Sequence, residues 1–215
     1  MPNNKKSSLK NPNIEDKSQF WENRYTENDT GWDLEGPTPL FIELVKNLKK
    51  GSLCIIGCGR GYDAITFAKK GFRVTAVDFA PTAISSLKIM ADKENVKINM
   101  LQRDIFSLFP EYENSFDYVI EQTCFCAIHP SRRNDYEYLV RGILKNGGHI
   151  IGLWFPLDKL LSEGGPPYGT SVDDVKSLFN SNWKIKKEEF SDYSIKPRQG
   201  REKLIIFKNI KDGIK

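Results

Sequence analysis

Leu53-Cys54-Ile55-Ile56-Gly57-Cys58-Gly59-Arg60-Gly61-Tyr62-Asp63 is the stretch that decides the fold. Residues 53–57 form a short apolar run closed by a glycine-rich turn, the signature of a buried strand. From 62 to 70 the apolar residues recur at helical spacing. Strand, tight turn and helix in this order open an α/β unit. The alternation continues downstream. Strands are predicted at 72–77, 96–101, 116–121 and 149–155, with helices at 81–92 and 134–144. Pro81 suits a first helical turn, where its missing N–H is not needed. Asn146-Gly147-Gly148 reads as the stop of the 134–144 helix. A helix at 171–179 and strands at 183–190 and 203–208 complete the pattern. The predicted class is a Rossmann-like α/β fold: a seven-stranded, mostly parallel sheet with helices on both faces.

The chain has 215 residues, 39% hydrophobic and 28% charged, enough to build the core of one domain. We expect residues 1–17 to be a flexible tail, 18–210 to be that domain, and the end from 208 to 215 to fray. No segment approaches the roughly 20 apolar residues of a membrane span. The Asn/Lys-rich start lacks the apolar core of a secretory signal. These features predict a soluble cytoplasmic protein. The net charge is +4, and residues 184–215 hold 10 Lys/Arg against 5 Asp/Glu, so the excess is local. A basic end is not a basic face, and nucleic-acid binding is not implied. The four cysteines lie in or beside apolar runs, which suits reduced thiols. Cys124-Phe125-Cys126-Ala127-Ile128-His129 lacks a Cys-x-x-Cys pair and a second ligand cluster, so packing is favoured over metal binding.

In open parallel sheets, ligands bind beyond the carboxyl ends of the strands. After the first strand, three glycines alternate at 57, 59 and 61, so backbone can approach a ligand closely. A dinucleotide fingerprint needs G-x-G-x-x-G, and position 62 is Tyr. The second strand ends at Asp78, 17 residues after Gly61, where a carboxylate can accept from both hydroxyls of a ribose. The third is followed by Asp104, suited to an adenine amino group, and by Ile105, suited to the ring face. Together these strand ends favour an adenosine-containing ligand. No P-loop pattern is present. G-x-G-x-G followed by two acids in turn resembles class I S-adenosylmethionine-dependent methyltransferases, whose cofactor carries a sulfonium cation and an amino-acid tail in place of a pyrophosphate.

Other segments narrow the likeness. They are Phe20-Trp21-Glu22-Asn23-Arg24-Tyr25, Thr30-Gly31-Trp32-Asp33-Leu34-Glu35-Gly36-Pro37, the 124–130 segment, Gly164-Gly165-Pro166-Pro167-Tyr168, and Pro197-Arg198-Gln199-Gly200-Arg201-Glu202-Lys203. Over residues 19 to 208 the chain resembles the thiopurine S-methyltransferase superfamily, and within it the plant-type halide/thiol methyltransferases and their bacterial relatives. The resemblance implies that S-adenosyl-L-methionine is bound and S-adenosylhomocysteine released. It places Trp21, Tyr25 and Trp32 around the cofactor, in a lid at 18–50. It also assigns Gly57 and Gly59 to the cofactor loop, Asp78 to the ribose, and Asp104 with Ile105 to the adenine edge. Two positions depart from the halide/thiol branch: Tyr25 replaces a common Trp, and Gln122 stands where Tyr is frequent. Aromatic faces attract cations, which agrees with a sulfonium ligand. Trp21 and Tyr25 are also spaced i, i+4, as on the apolar face of a helix.

The expected chemistry is in-line displacement of a methyl group by a soft nucleophile, with positioning and desolvation lowering the barrier. A thiol must lose its proton to attack well, whereas a halide needs no base. His129, after the fourth strand, is the candidate base, although the halide/thiol branch often has Glu there. Phe125, Phe155 and Tyr168 are candidate acceptor-pocket walls, and Arg198 and Arg201 candidate anion holders. The expected acceptor is a small thiol such as sulfide or methanethiol, with halide as a side substrate, and the expected state is a monomer. Alternatives are an aromatic thiol of the thiopurine kind, or a regulator that binds the cofactor without turnover. A nucleic-acid methyltransferase would want Asn/Asp-Pro-Pro-Tyr/Phe after the fourth strand, and Glu121-Gln122-Thr123-Cys124 stands there.

Overall fold

A computed structural model describes residues 13–210 of the chain. Ser52–Ile56 (β1), Arg73–Asp78 (β2), Asn99–Gln102 (β3), Phe116–Gln122 (β4), Leu144–Trp154 (β5), Trp183–Glu189 (β6) and Lys203–Asn209 (β7) form one sheet in the order β3-β2-β1-β4-β5-β7-β6. β1 to β5 pair in parallel, and β7 alone runs against its two neighbours. The strand order reverses between β1 and β4, which places the switch point there.

β1 shows why the sheet carries two cores. Side chains alternate across a strand. Leu53 and Ile55 enter a cluster with Phe41, Phe67 and Leu87, while Cys54 and Ile56 enter one with Tyr136, Val140 and Trp154. Helices Pro39–Leu44 (α2), Tyr62–Lys69 (α3) and Pro81–Lys93 (α4) cover the first face. Arg133–Ile143 (α5) and Val172–Leu178 (α6) cover the second. Ser171 opens α6 with a capping box: its hydroxyl accepts from the Asp174 N–H at 3.0 Å, and the Asp174 carboxylate accepts from the Ser171 N–H at 3.2 Å.

Three local expectations need correction. The 96–101 strand is shorter, Asn99–Gln102. Asn146-Gly147-Gly148 does not stop a helix: α5 ends at Ile143 and β5 starts at Leu144. The glycines lie inside the strand where pairing jumps from Phe116↔Leu144 to Tyr118↔His149, and Gly147 has φ +81°. They form a bulge, which needs a residue that tolerates positive φ. Residues 13–17, expected in the tail, are ordered as well. Ile14–Asp16 is a 3₁₀ turn with Glu15 buried. The rest of the expected tail, 1–12, and the last five residues lie outside the described part of the chain. No described helix is long and apolar enough to cross a membrane.

Ser18–Thr26 (α1) docks against the start of α4, where Tyr25 packs with Ala80 and Ala83 and one carboxylate adds a polar tie. Glu22 accepts from the Thr82 N–H at 2.9 Å and from its hydroxyl at 2.6 Å. This supplies an anion to the first turn of α4, where N–H groups lack helical partners.

Candidate active site

A cavity of about 410 Å³ opens at the carboxyl ends of β1, β2, β3 and β4. Its floor is the turn after β1. Gly57, Gly59 and Gly61 have φ of +58°, +55° and +88°, the left-handed region that glycine enters without strain. A side chain at Gly57 would strike the Cys124 sulfur at 2.8 Å, and one at Gly61 the Leu87 Cδ1 at 2.3 Å. Asp78 holds this turn. One carboxylate oxygen accepts the Gly59 N–H at 2.9 Å and the other the Ala80 N–H at 3.0 Å. Each oxygen keeps a second lone pair. Burial raises the Asp78 carboxyl above its ordinary value, against the pull of those N–H groups. Asp104 accepts the Phe106 N–H at 3.0 Å and so caps the short turn Ile105–Leu108, which places Ile105 on the cavity wall.

The lid supplies the aromatics. Trp21 and Tyr25 project from one face of α1 and meet Trp32 edge to face at 5.5 and 5.6 Å. All three line the cavity, so the helical face and the site wall are the same surface. Two guanidinium groups already lie over this group: Arg24 over Trp32 at 5.6 Å and Arg60 over Tyr25 at 5.3 Å. The far wall comes from the last connections of the chain. Phe155 lines it between Arg198 and Arg201, each 5.3 Å from the ring. Arg198 is buried and donates to the Trp32 carbonyl at 2.9 Å, tying the C-terminal loop to the lid. Arg201 pairs with Asp158 at 2.6 Å.

Eleven of the fifteen predicted site residues therefore meet around this cavity: Trp21, Tyr25, Trp32, Gly57, Gly59, Asp78, Asp104, Ile105, Phe155, Arg198 and Arg201. Four do not line it. Phe125 packs into the core against Tyr136 and Trp154, because the turn after β4 sends it inward and presents Cys124 and Cys126 instead. Tyr168 is buried behind the wall and reaches the cavity only through Glu15, whose carboxylate accepts its hydroxyl proton. His129 caps the turn Pro130–Arg132 by accepting the Ser131 N–H at 3.2 Å. Gln122 lies in a small adjoining pocket that shares Trp32, Gly57 and Gly59 with the main cavity, and its buried amide nitrogen has no partner among the described residues.

Charged residues that sequence reasoning missed complete the wall. Asp16 pairs with Arg132 at 2.8 Å, and Asp29 with Arg24 at 2.8 Å. Behind the turn after β4, Glu121 is fully buried. It accepts from the Phe125 N–H at 2.9 Å and the Tyr136 hydroxyl at 2.5 Å, and burial raises its carboxyl to about 7. It thereby fixes the segment carrying Cys124 and Cys126, both free thiols. Burial lifts both, Cys126 to about 12, so neither is a thiolate at neutral pH.

The donor set fits S-adenosyl-L-methionine. An acid stands at the end of β2, a second acid and an apolar side chain follow β3, and Gln122, whose amide nitrogen has no partner among the described residues, lies beside the bare glycine turn. Fold and cavity define a class I S-adenosylmethionine-dependent methyltransferase. The family model described as thiopurine S-methyltransferase matches residues 16–211. A probable thiol methyltransferase 2 of Arabidopsis thaliana is 34% identical over 195 residues, covering 88% of this chain and 84% of its own. A thiocyanate methyltransferase 1 of Brassica oleracea is 30% identical over the same shares. The solved 1,6-didemethyltoxoflavin-N1-methyltransferase of Burkholderia thailandensis, with 1,6-didemethyltoxoflavin and S-adenosylhomocysteine bound, shares the fold. Its TM-score is 0.71 at 18% identity, covering 91% of this chain and 87% of that one. The chain belongs to the thiopurine S-methyltransferase family, and its cofactor is S-adenosyl-L-methionine.

Proposed function

We propose that the enzyme methylates a small thiol such as sulfide or methanethiol, with halide as a secondary acceptor. The observation that carries this reading is the wall facing away from the adenosine-type residues. Cys126, Ile128, Phe155, Pro166 and Pro167 give it an apolar surface flanked by Arg198 and Arg201, and Glu15 and Asp16 of the turn at 14–16 border the same cavity. Such a chamber suits a compact, soft, weakly hydrated nucleophile. The names of the plant relatives, thiol and thiocyanate methyltransferase, support the same acceptor class.

When bound, the cofactor supplies an electrophilic methyl group on a cationic sulfur. In this reading Asp78 accepts from the ribose hydroxyls, and Asp104 and Ile105 hold the adenine edge. Gly57, Gly59 and Gln122 receive the amino-acid tail. Trp21, Tyr25 and Trp32 exclude water. Arg198 and Arg201 favour an anionic acceptor beside Phe155, with Phe125 and Tyr168 bracing that wall. The four free thiols fit a cytoplasmic enzyme, which we take to be a monomer.

Headspace analysis after incubation with the donor and sulfide, methanethiol, iodide or an aromatic thiol tests this reading. Methylated sulfide or methanethiol is the expected product. Turnover of the aromatic thiol alone favours the thiopurine-like alternative, and donor binding without any product favours a regulator.

A further inference from the structure

The cavity holds five carboxylates, and four of them are committed. Asp78 accepts backbone N–H groups with both oxygens, and Asp104 caps a turn. Asp16 and Asp29 are paired with Arg132 and Arg24. Glu15 differs. It is 6% exposed, it lines the cavity, and its carboxylate meets no cation among the described residues. Its partner is the Tyr168 hydroxyl, on one oxygen. Burial, with that hydrogen bond, pushes the Tyr168 phenol up to about 12, so Tyr168 stays the donor at neutral pH. The backbone carbonyl of Glu15 accepts from the Trp21 indole at 2.9 Å, which fixes the turn against the lid.

We propose that Glu15 is the general base that deprotonates the thiol acceptor, with Tyr168 orienting its carboxylate. The assignment rests on the thiol reading above. In this step the S–H proton moves to the free oxygen of Glu15, and its electron pair stays on the acceptor sulfur. That pair forms the new S–C bond to the donor's methyl carbon, and the pair of the old C–S bond leaves with the donor sulfur, cancelling its positive charge. The other titratable groups near Glu15 do not compete. Asp16 is held by Arg132, the Tyr168 phenol is protonated, and His129 is engaged through Nδ1 with the N–H and hydroxyl of Ser131, its ring meeting that of Tyr168 edge to face at 5.4 Å.

Glu15→Gln tests this, because the amide still accepts from Tyr168. A general base contributes about 10²- to 10⁴-fold. The variant should therefore lose kcat/KM for methanethiol by about 10²-fold or more relative to iodide, which carries no proton. Glu15→Asp should recover part of the loss. The thiol deficit should shrink about tenfold per pH unit as free thiolate accumulates. Equal losses on both acceptors, or no loss on methanethiol, overturn the assignment. Where iodide is not turned over, the pH profile decides, and a deficit that stays constant with pH overturns it. Wild-type enzyme that methylates no thiol removes the reading beneath it, a different result from equal losses in the variant.

Discussion

The Asp78 carboxylate accepts the Gly59 N–H at 2.9 Å, so the end of β2 fixes the turn that follows β1. One side chain thereby ties two adjacent strand ends into a single binding edge. Asp78→Ala removes a charged acceptor from this edge. We expect S-adenosylhomocysteine affinity to fall by about 1–3 kcal/mol, read by calorimetry. Unchanged affinity in a folded variant would remove the ribose assignment.

Gly61→Ala puts a side chain at φ +88° and within 2.3 Å of Leu87 Cδ1. Left-handed strain and overpacking each cost about 1–3 kcal/mol. A drop of about 2–6 kcal/mol in urea unfolding is expected, and an unaltered midpoint would contradict the turn geometry.

Glu22→Ala takes the anionic cap from α4 and leaves α1 held there by Tyr25 against Ala80 and Ala83. The cap is worth about 1 kcal/mol. Beyond that small loss of stability, α1 should become more sensitive to limited proteolysis while the sheet stays resistant. Simultaneous digestion of both would show that α1 is not separately docked.

Glu121 is raised by burial from the ordinary 4.5 to about 7, and Asp63, accepting from the Thr38 N–H and hydroxyl, from 3.8 to about 6. The folded state therefore binds these protons more tightly than the unfolded chain. Their contribution is fully present below the ordinary carboxyl range and is lost as pH rises through the folded values. Stability should decline between about pH 4 and 7. Glu121→Gln should flatten the upper part of that decline and leave the share due to Asp63. Identical slopes in urea titrations of the two proteins would contradict the burial of this carboxylate.

Local pattern carries most of this fold. Each strand end and the glycine turn depend on neighbours a few residues away, so Asp78, Asp104 and Gly57 are legible in the sequence alone. Glu15 is not. It stands in a polar Asn/Lys-rich run that looks like a tail, and its burial is decided by Tyr168, 153 residues downstream. Asp16 is hidden for the same reason, with Arg132 116 residues away. Phe125 and Tyr168 belong to motifs that border the wall, which is why the sequence points to them as lining. Residue type does not reveal which side of a turn a ring takes, and here Phe125 turns into the packed interior while Tyr168 sits behind the wall against Glu15 and His129. Asn146-Gly147-Gly148 satisfies a helix stop and a strand bulge equally well, and only the pairing of β4 with β5 distinguishes them.

The bond from Arg198 to the Trp32 carbonyl joins positions 166 residues apart. On the ribosome, the lid is made 166 residues before its anchor. A nascent chain thus has the glycine turn and Asp78 well before it can seal the chamber. Stabilisation by mass action with the methyl donor reaches full strength only after Arg198 has left the exit tunnel, so the order of synthesis makes sealing of the chamber a later event than formation of its floor.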